Sequence, residues 1–150
     1  MTHFTNQDRK NWMGLLARAA TSHLQSCLEN IGELPVAAEI RPPEIGMVMV
    51  RGRVTGSGSP FNLGEMTVTR CTVSVAGVTG HALVRGRRTD HARLAAVADA
   101  LLQDETWFGI LSPHLIAPLR EAEALHSARR SEDAAATKVD FFTMVRGEDE

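Results

Sequence analysis

Residues 65–84 read EMTVTRCTVSVAGVTGHALV, and this stretch decides the fold class. It divides at Ala76-Gly77 into two runs rich in Val and Thr, residue types that favour strands. Such a short connection joins antiparallel neighbours, because a parallel crossover needs a dozen or more residues. The predicted core face of the first run consists of alternate residues: Thr67, Thr69, Cys71, Val73 and Val75.

Two more strands are predicted upstream of this hairpin. They cover residues 36–40 and 46–54, with Pro42-Pro43 between them. Residues 56–60, Gly-Ser-Gly-Ser-Pro, are interpreted as a flexible hairpin loop. Together with residues 65–76 and 78–84, these segments predict an antiparallel sheet of four strands, or of five if a segment near the C-terminus joins them.

Apolar residues at spacings of three and four predict helices at residues 6–20, 22–30 and 89–103, and residues 115–138 are interpreted as a long helix with Pro118 near its first turn. Thr5 or Asn6 is a candidate cap for the first helix, and Thr89 or Asp90 for the third. A turn at Pro113 is expected to precede the last helix. The predicted class is α+β, with helices packed on one face of the sheet and residues 1–150 forming a single domain.

The last predicted helix is rich in Ala and charged residues, so it has little apolar surface to bury on its own core. It is followed by residues 139–145, VDFFTMV, and by a charged ending. One interpretation makes residues 115–150 a helix plus an interaction arm that buries its tip in a partner. The alternative is a fifth strand of the chain's own sheet. The candidate interface residues of the arm are Val139, Phe141, Phe142, Met144 and Arg146.

Composition argues against several classes of partner and location. With 16 Lys and Arg against 18 Asp and Glu, the net charge of -2 provides no general attraction for nucleic acid or anionic lipid. The N-terminus lacks the pattern of a secretory signal, and no apolar run is long enough to span a membrane. Cys27 and Cys71 have no Cys-x-x-Cys spacing and are expected to be reduced and buried. A cytoplasmic protein is therefore expected.

Recognisable catalytic and metal-binding patterns do not occur in this sequence. The Gly-Ser loop at residues 56–60 lacks the lysine and the following helix of a phosphate-binding P-loop. The six histidines are scattered and have no ligand spacing typical of a metal site. We expect neither catalytic residues nor a metal site in this chain.

One polar segment leads out of a predicted strand into a predicted helix N-terminus. Residues 85–91, RGRRTDH, bring three guanidinium groups close to free backbone amides, a setting that suits a phosphate or phosphonate. Arg51, Arg53 and Arg70 could add charge. The candidate ligand residues are Arg85, Arg87, Thr89 and His91. The alternative interpretation is a solvated basic rim, or one that faces the acids of a partner, with His91 as a packing or capping residue.

Five segments resemble the PhnG family, a component of the carbon-phosphorus lyase core complex. They are Trp12-Met13, residues 60–71 (PFNLGEMTVTRC), residues 91–103 with their His-Ala and DALLQ ends, residues 115–119 (LIAPL), and residues 139–147 (VDFFTMVRG). The matches run from one end of the chain to the other, and the last has an unusual composition. The sequence is on these grounds identified as a member of that family.

This resemblance implies a hetero-oligomeric cytoplasmic assembly with subunits H, I and J, joined by ABC-type ATPase-like subunits. With subunits H, I and L, members of the family are needed for a phosphonate to displace adenine from MgATP, which gives ribose 1-methylphosphonate 5-triphosphate. MgATP is a substrate of the complex, and no cofactor is expected on this chain. The nucleosidase centre is attributed to subunit I, which is also the partner expected to receive the arm.

Two positions depart from the family pattern. Relatives commonly carry an acidic residue after Gly-Arg and another after His-Ala, where this chain has Arg88 and Arg93. Arg87 matches the pattern and is therefore the better ligand candidate. The alternative function is a stand-alone domain that binds phosphonate or phosphate. A stable monomer that binds ligand would favour this alternative, whereas a defined complex on co-expression would favour the subunit.

Overall fold

The structure, a computed structural model, describes residues 4–54 and 56–138. Two helices come first, α1 (Asn6–Arg18) and α2 (Thr21–Ile31). Three strands follow, β1 (Ala37–Gly52), β2 (Phe61–Val75) and β3 (Val78–Arg85). The chain continues through α3 (Thr89–Leu102), α4 (Glu105–Leu111), a π-helical turn (Ser112–Ile116) and α5 (Ala117–Ala136). This architecture confirms the α+β class and the long C-terminal helix.

The described residues form an antiparallel sheet of three strands in the order β1-β2-β3, so the predicted count of four to five is wrong. The predicted strands 36–40 and 46–54 are one strand, β1. Pro42-Pro43 cause register shifts between Arg41 and Glu44 instead of a turn. An edge strand tolerates proline because its missing amide hydrogen need not reach a neighbour. The proposed fifth strand at 139–145 lies outside the described residues.

The long hairpin of β1 and β2 extends past the third strand. β3 pairs with β2 only from Val68 to Val75, whereas β1 remains paired with β2 as far as Gly52 and Phe61. Beyond Val68, β2 therefore has one neighbour, and the distal strands project as a two-stranded ribbon of about 20 Å at 3.3 Å per residue.

Helix α3 lies across one face of the sheet and forms the centre of the core. Thr69, Cys71, Val73 and Val75 are buried beneath it, which confirms that side of β2 as the core face. Gly80 permits the close approach, since a Cβ there would collide with the Ala96 carbonyl and lie 2.6 Å from the Ala100 nitrogen. The alanines of α3 thus allow the helix to sit close to β3.

Helices α1 and α2 both pack against α3, and α1 also contacts β3. Thr5 caps α1 by accepting a hydrogen bond from the Asp8 amide at 3.1 Å, while the Asp8 carboxylate accepts one from the Thr5 amide at 3.0 Å. This capping box confirms Thr5 as the cap. For α3 the predicted caps, Thr89 or Asp90, are wrong, because Arg88 occupies the N-cap position and forms no side-chain cap bond.

The C-terminal helices depart from the sequence prediction at their start. Asp104 caps α4 by accepting hydrogen bonds from the amides of Thr106 and Trp107 at 2.9 and 3.1 Å. Pro113 lies inside the π-helical turn, so the predicted break there is wrong and the helical path continues into α5. Leu119 is buried, whereas residues 124–136 of α5 are all exposed. Across the described ranges, we find no helix with the length and apolar character of a membrane span.

Candidate functional site

The turn between β3 and α3 is held by a set of short-range hydrogen bonds. Gly86 adopts a φ of 84°, a left-handed conformation that favours glycine. Its amide donates to the Thr67 carbonyl at 2.8 Å. The Thr69 hydroxyl donates to the Gly86 carbonyl at 2.6 Å and accepts from the Arg88 amide at 3.0 Å. Thr69 is fully buried, so it fixes the turn from within the core.

Arg88 and His91 point into the protein from this turn. The Arg88 guanidinium donates to the Ala19 carbonyl and to the Thr21 hydroxyl, both at 2.9 Å, and lies 3.1 Å from His91 Nδ1. His91 Nε2 lies 2.8 Å from the Leu16 carbonyl, which can only accept. The proton of the neutral ring is therefore on Nε2, and Nδ1 can accept from Arg88.

His91 is held as a neutral ring by its surroundings. Burial lowers its pKa below the ordinary value of 6.5, the nearby Arg88 charge lowers the pKa further, and the hydrogen bond to Leu16 raises it in part. The side chain is 1% exposed. His91 therefore joins the C-terminal end of α1 to the start of α3, as the packing interpretation expects, and does not reach the outer surface of the turn.

Arg85, Arg87 and Thr89 lie on that outer surface. All three are exposed, and among the described residues the guanidinium groups of Arg85 and Arg87 form no hydrogen bond or ion pair. The turn thus leaves Arg85, Arg87 and Thr89 exposed and His91 buried, and Arg85, which pairs with Val68, lies on the face of the sheet opposite the helices. Binding of a ligand by the exposed three stays a prediction.

The exposed set offers two positive charges, a hydroxyl group and the first amides of a 14-residue helix. These groups suit a phosphate, a phosphonate or a partner's carboxylate. Asp90, in the first turn of α3, adds an opposing negative charge. Arg93 partly offsets Asp90 at 3.5 Å but bonds more closely to Glu39, at 2.6 Å.

The other arginines proposed to contribute are placed differently. Arg70 forms an ion pair with Glu44 at 3.0 Å. It lies between the core-facing Thr69 and Cys71 and pairs in register with Glu44 and Leu83, so this ion pair is on the face of the sheet opposite the helices. Arg51 lies at the end of β1 and Arg53 follows it, at the far end of the projecting ribbon. None of these three joins the exposed surface around Arg87.

Sequence reasoning missed a buried polar network around Asp99. This carboxylate is fully buried and accepts bonds from Arg9 Nη2 at 2.7 Å, Trp12 Nε1 at 2.9 Å and the His81 amide at 2.9 Å. Gln103 donates to the Thr79 carbonyl at 2.9 Å beside it. An aspartate inside an otherwise apolar helical run was the available signal. With its charge and oxygens satisfied, Asp99 connects α1, β3 and α3 as a structural group.

The described residues contain no group of three or more His, Cys, Asp or Glu side chains arranged to hold a metal ion. Cys27 and Cys71 are buried, as expected from the sequence, and desolvation raises the pKa of each thiol. Neither thiol is therefore set up as a nucleophile. The predicted interface residues Val139, Phe141, Phe142, Met144 and Arg146 lie outside the part of the chain that the structure describes.

Comparison with known proteins gives a match over nearly the whole chain. A family model described as phosphonate metabolism protein PhnG matches residues 7–147. The chain is also 44% identical, over 152 aligned positions, to alpha-D-ribose 1-methylphosphonate 5-triphosphate synthase subunit PhnG from Rhizobium meliloti strain 1021. The alignment covers 94% of this chain and 90% of the relative. Trp12, His91, Asp99 and Gln103, which the resemblance singled out, are all parts of the two buried networks described above.

Proposed function

Because the chain belongs to the PhnG family of phosphonate metabolism proteins, we propose that it is a non-catalytic subunit of an alpha-D-ribose 1-methylphosphonate 5-triphosphate synthase. The observation that carries this proposal is the 44% identity to a synthase subunit over 94% of the chain. The complex uses a phosphonate to displace adenine from MgATP. This chain supports that reaction by assembly with the subunits that carry the chemistry.

The side chains of the described residues support a structural role. Displacing adenine requires a group that activates or aligns the phosphonate and another that stabilises the departing base. Two buried titratable side chains of the described residues, His91 and Asp99, have their hydrogen-bonding groups engaged within the fold. The exposed turn at Arg87 supplies positive charge, and the acidic side chain of the same segment, Asp90, lies 3.5 Å from Arg93.

The companions we propose are subunits H, I and J and the ABC-type ATPase-like subunits, in a cytoplasmic assembly. MgATP binds to the complex as substrate, and this chain contributes no cofactor. The exposed side of the turn, with Arg85, Arg87 and Thr89, binds either a phosphate or phosphonate group or an acidic surface of a companion. Its arrangement next to the start of α3 supports either choice, and both ligands have the same anionic chemistry.

The C-terminal arm is proposed as a second attachment point. Helix α5 leaves the core after Leu119 and is exposed from residue 124 to its end. A helix of 20 residues is about 30 Å long, roughly the width of a small domain. It can therefore carry the apolar residues 139–145 to a groove on another subunit, which we propose is subunit I.

Reconstitution tests this proposal. Purified subunits H, I and L are mixed with MgATP and methylphosphonate, and free adenine is measured with and without this chain. We expect adenine only when the chain is present, and none from the chain alone. Adenine released by the isolated chain, and lost on substitution of one of its residues, would contradict the non-catalytic role. Phosphonate binding by an isolated monomer that forms no complex would favour the stand-alone anion-binding domain.

A further inference from the structure

The outer edge of β3, on the side away from β2, is closed at its beginning by side chains. The Thr79 carbonyl accepts a hydrogen bond from Gln103 at 2.9 Å and one from Arg9 at 3.4 Å. Two residues further along, the His81 amide donates to the Asp99 carboxylate at 2.9 Å. The Asp99 network thus takes the place that the backbone of a neighbouring strand would have there.

The second half of the same edge is open. In an antiparallel pair, the backbone groups of successive residues point alternately toward and away from the neighbouring strand. Those of His81 point away from β2, so those of Leu83 and Arg85 do so as well. Within residues 4–54 and 56–138, no group forms a hydrogen bond with these outward amides and carbonyls. We call the outer side of residues 81–85 the open edge.

The opposite edge of the sheet, along β1, is protected against further strands. β1 contains Pro42-Pro43, and its register with β2 shifts at three places. Prolines and bulges of this kind discourage the addition of another strand. β3 contains no proline, and its pairing with β2 runs from Val78 to Arg85 without a shift. The open edge therefore has the regular geometry that a further strand needs.

A groove of about 180 Å³ lies beside the open edge. Its lining includes Met13, Gly14, Leu16 and Ala17 of α1 and Ala82 and Leu83 of β3. Gly14 and Ala17 leave this space because their side chains are absent or small. A cavity of about 150 Å³ accommodates a benzene ring. The groove, which we call the α1 groove, therefore has room for one large apolar side chain.

Helix α1 lies over the position that a fourth strand would occupy. It runs antiparallel to α3, since Arg9 bonds to Asp99 and the Leu16 carbonyl bonds to His91. α3 packs on all three strands, whereas α1 contacts β3, and its Arg9 reaches the outward Thr79 carbonyl. The helical layer thus extends beyond the edge of the sheet. The α1 groove is the space beneath this layer where an inward side chain of an added strand would lie.

We infer that the open edge receives a short extended segment of a companion subunit, which adds a fourth strand and inserts one large apolar side chain into the α1 groove. This inference rests on the proposed function and adds the surface and the mode of binding. The outward backbone groups require an extended chain as the occupant, and the groove selects its side chain. The Asp99 network limits the added strand to the second half of the edge.

Chain length argues against the chain's own residues 139–145 as the occupant. Glu123 of α5 bonds to Arg18 at 2.5 Å, and the Arg18 guanidinium lies against Gly14 at the α1 groove. From residue 124 to Ala136 the helix is exposed, and these residues carry its end about 20 Å away at 1.5 Å per residue. A return over this distance takes about six extended residues. It would use most of the apolar segment before pairing begins.

Packing argues against a second copy of this chain. Antiparallel pairing of two β3 edges requires a two-fold axis perpendicular to the sheet, which places both helical layers on the same face. Each α1 extends beyond the β3 of its own chain, so the two α1 helices would need the same space. A partner that supplies a strand without such a helix fits, and the proposed assembly brings companion subunits to this chain.

Amide hydrogen exchange tests this inference on the full-length chain, alone and in a co-expressed complex with subunits H, I and J. The Leu83 and Arg85 amides should exchange freely in the isolated chain, and their exchange should slow by about tenfold or more in the complex. The His81 amide is the internal control, because its bond to Asp99 should protect it in both states.

Two variants of the full-length chain test the same edge by affinity for the companion subunits. Leu83→Pro removes an amide that does not bond to β2, and edge strands tolerate proline; Leu83→Thr keeps the amide and is its control. Ala17→Phe fills the α1 groove, and Ala38→Phe, at an exposed position of β1, is its control. Leu83→Pro and Ala17→Phe should each weaken binding about tenfold, and both controls should bind like the wild type. Circular dichroism checks that each variant is folded.

The outcomes separate this inference from the proposed function. If the wild-type chain forms no complex, both fail. If the complex forms while the Leu83 and Arg85 amides exchange as in the isolated chain, or while Ala17→Phe binds normally, only the inference fails. Slow exchange of both amides in the isolated monomer would assign the open edge to the chain's own C-terminal segment. Slow exchange that accompanies dimerisation would assign it to a second copy, and either result overturns the inference.

Discussion

The indole Nε1 of Trp12 donates a hydrogen bond of 2.9 Å to the carboxylate of Asp99, and this bond joins the first helix to the central one. Arg9, from the same helix as Trp12, places its guanidinium on the same carboxylate at 2.7 Å. Phe4 and Phe108 pack against the Trp12 ring at centroid distances of 5.4 and 6.2 Å. The buried Asp99 carboxylate thus lies beside an aromatic cluster. The two side chains of α1 that donate hydrogen bonds to it hold α1 in one orientation on α3.

Asp99→Ala should lower the free energy of unfolding by about 3–5 kcal/mol, the usual loss when one partner of a buried ion pair is removed. The Arg9 guanidinium, the Trp12 indole and the His81 amide would all lose the Asp99 carboxylate, and Arg9 would keep only its longer bond to the Thr79 carbonyl, at 3.4 Å. Urea denaturation followed by circular dichroism measures the effect. Glu44→Gln is the control, because Glu44 and Arg70 form an exposed ion pair and its loss should barely move the midpoint. Equal midpoint shifts in the two variants would show that the Asp99 network is not structural.

Gly80→Ala should destabilise the fold by about 1–3 kcal/mol, the range for overpacking a well-filled core. A methyl group there collides with the backbone of α3 at Ala96 and Ala100, and neither contact is the end of a flexible side chain. Gly46→Ala is the matched control in another strand of the same sheet, since a Cβ at Gly46 meets no atom within 4 Å. Thermal melts of both variants give the comparison. A Gly80→Ala melt as high as that of Gly46→Ala would contradict the close approach of α3 and β3.

The strands and helices that follow a simple period could be predicted from the sequence, whereas features that depend on tertiary contacts could not. Alternation in β2 was sufficient to identify its core face. Pro42-Pro43 predicted a turn between two strands, but β1 continues through them. It lies at the edge of the sheet, where the missing proline amide need not reach a neighbouring strand, and the local sequence does not reveal this position. Pro113 misled for a similar reason, since a π-helical turn accommodates it.

The candidate site shows the same division. The basic segment after β3 was visible in the sequence, but the direction of each side chain depends on Thr69 and on the α1–α2 connection. Arg88 and Arg93, the two departures from the family pattern, have found intramolecular partners at Ala19, Thr21 and Glu39. The Asp99 network joins Arg9 and Trp12 to residues 70 to 90 positions away, which no local pattern could bring together.

Stability should depend on pH through His91. Its pKa is lowered in the folded chain, so the unfolded chain binds the proton first as the pH falls. The contribution of His91 is therefore fully present above the unfolded pKa of about 6.5 and is lost as the pH falls from there towards the lower folded pKa. The slope for one group is at most about 1.4 kcal/mol per pH unit. His91→Gln should reduce the change in the free energy of unfolding between pH 7 and pH 5. The same pH dependence in the variant and the wild type would contradict the neutral buried ring.

Arg87 and Arg88 should behave oppositely although they are adjacent. Arg88→Ala removes the bonds to Ala19 and Thr21 and should lower stability by about 1–3 kcal/mol, the range for hydrogen bonds to a charged group. Arg87→Ala should leave the unfolding midpoint unchanged, because Arg87 is exposed. It should instead weaken assembly or adenine release by about 1–3 kcal/mol through a lost charge-assisted bond. Unchanged complex yield and rate in Arg87→Ala would make this arginine ordinary surface charge.

Deletion of residues 139–150 should abolish co-purification with the companion subunits while the remaining chain stays folded. The physical reason is the imbalance between α5 and the segment that it carries. From residue 124 to its end the helix is exposed, and Leu125 is its one large apolar side chain there, at 64% exposure. The segment itself contains Phe141, Phe142 and Met144. Each gains roughly 1.5–3 kcal/mol when fully buried, which favours a partner's groove over water.

Two further measurements make this prediction specific. Phe141→Ser with Phe142→Ser should reproduce the loss of binding in a chain of full length, whereas Glu148→Gln with Glu150→Gln, in the charged ending, should bind like the wild type. Circular dichroism of each variant separates a lost contact from a lost fold. Unfolding of the truncated chain would assign residues 139–145 to an internal strand, as the alternative interpretation holds. A truncated chain that is folded and assembles with normal affinity would contradict the arm prediction.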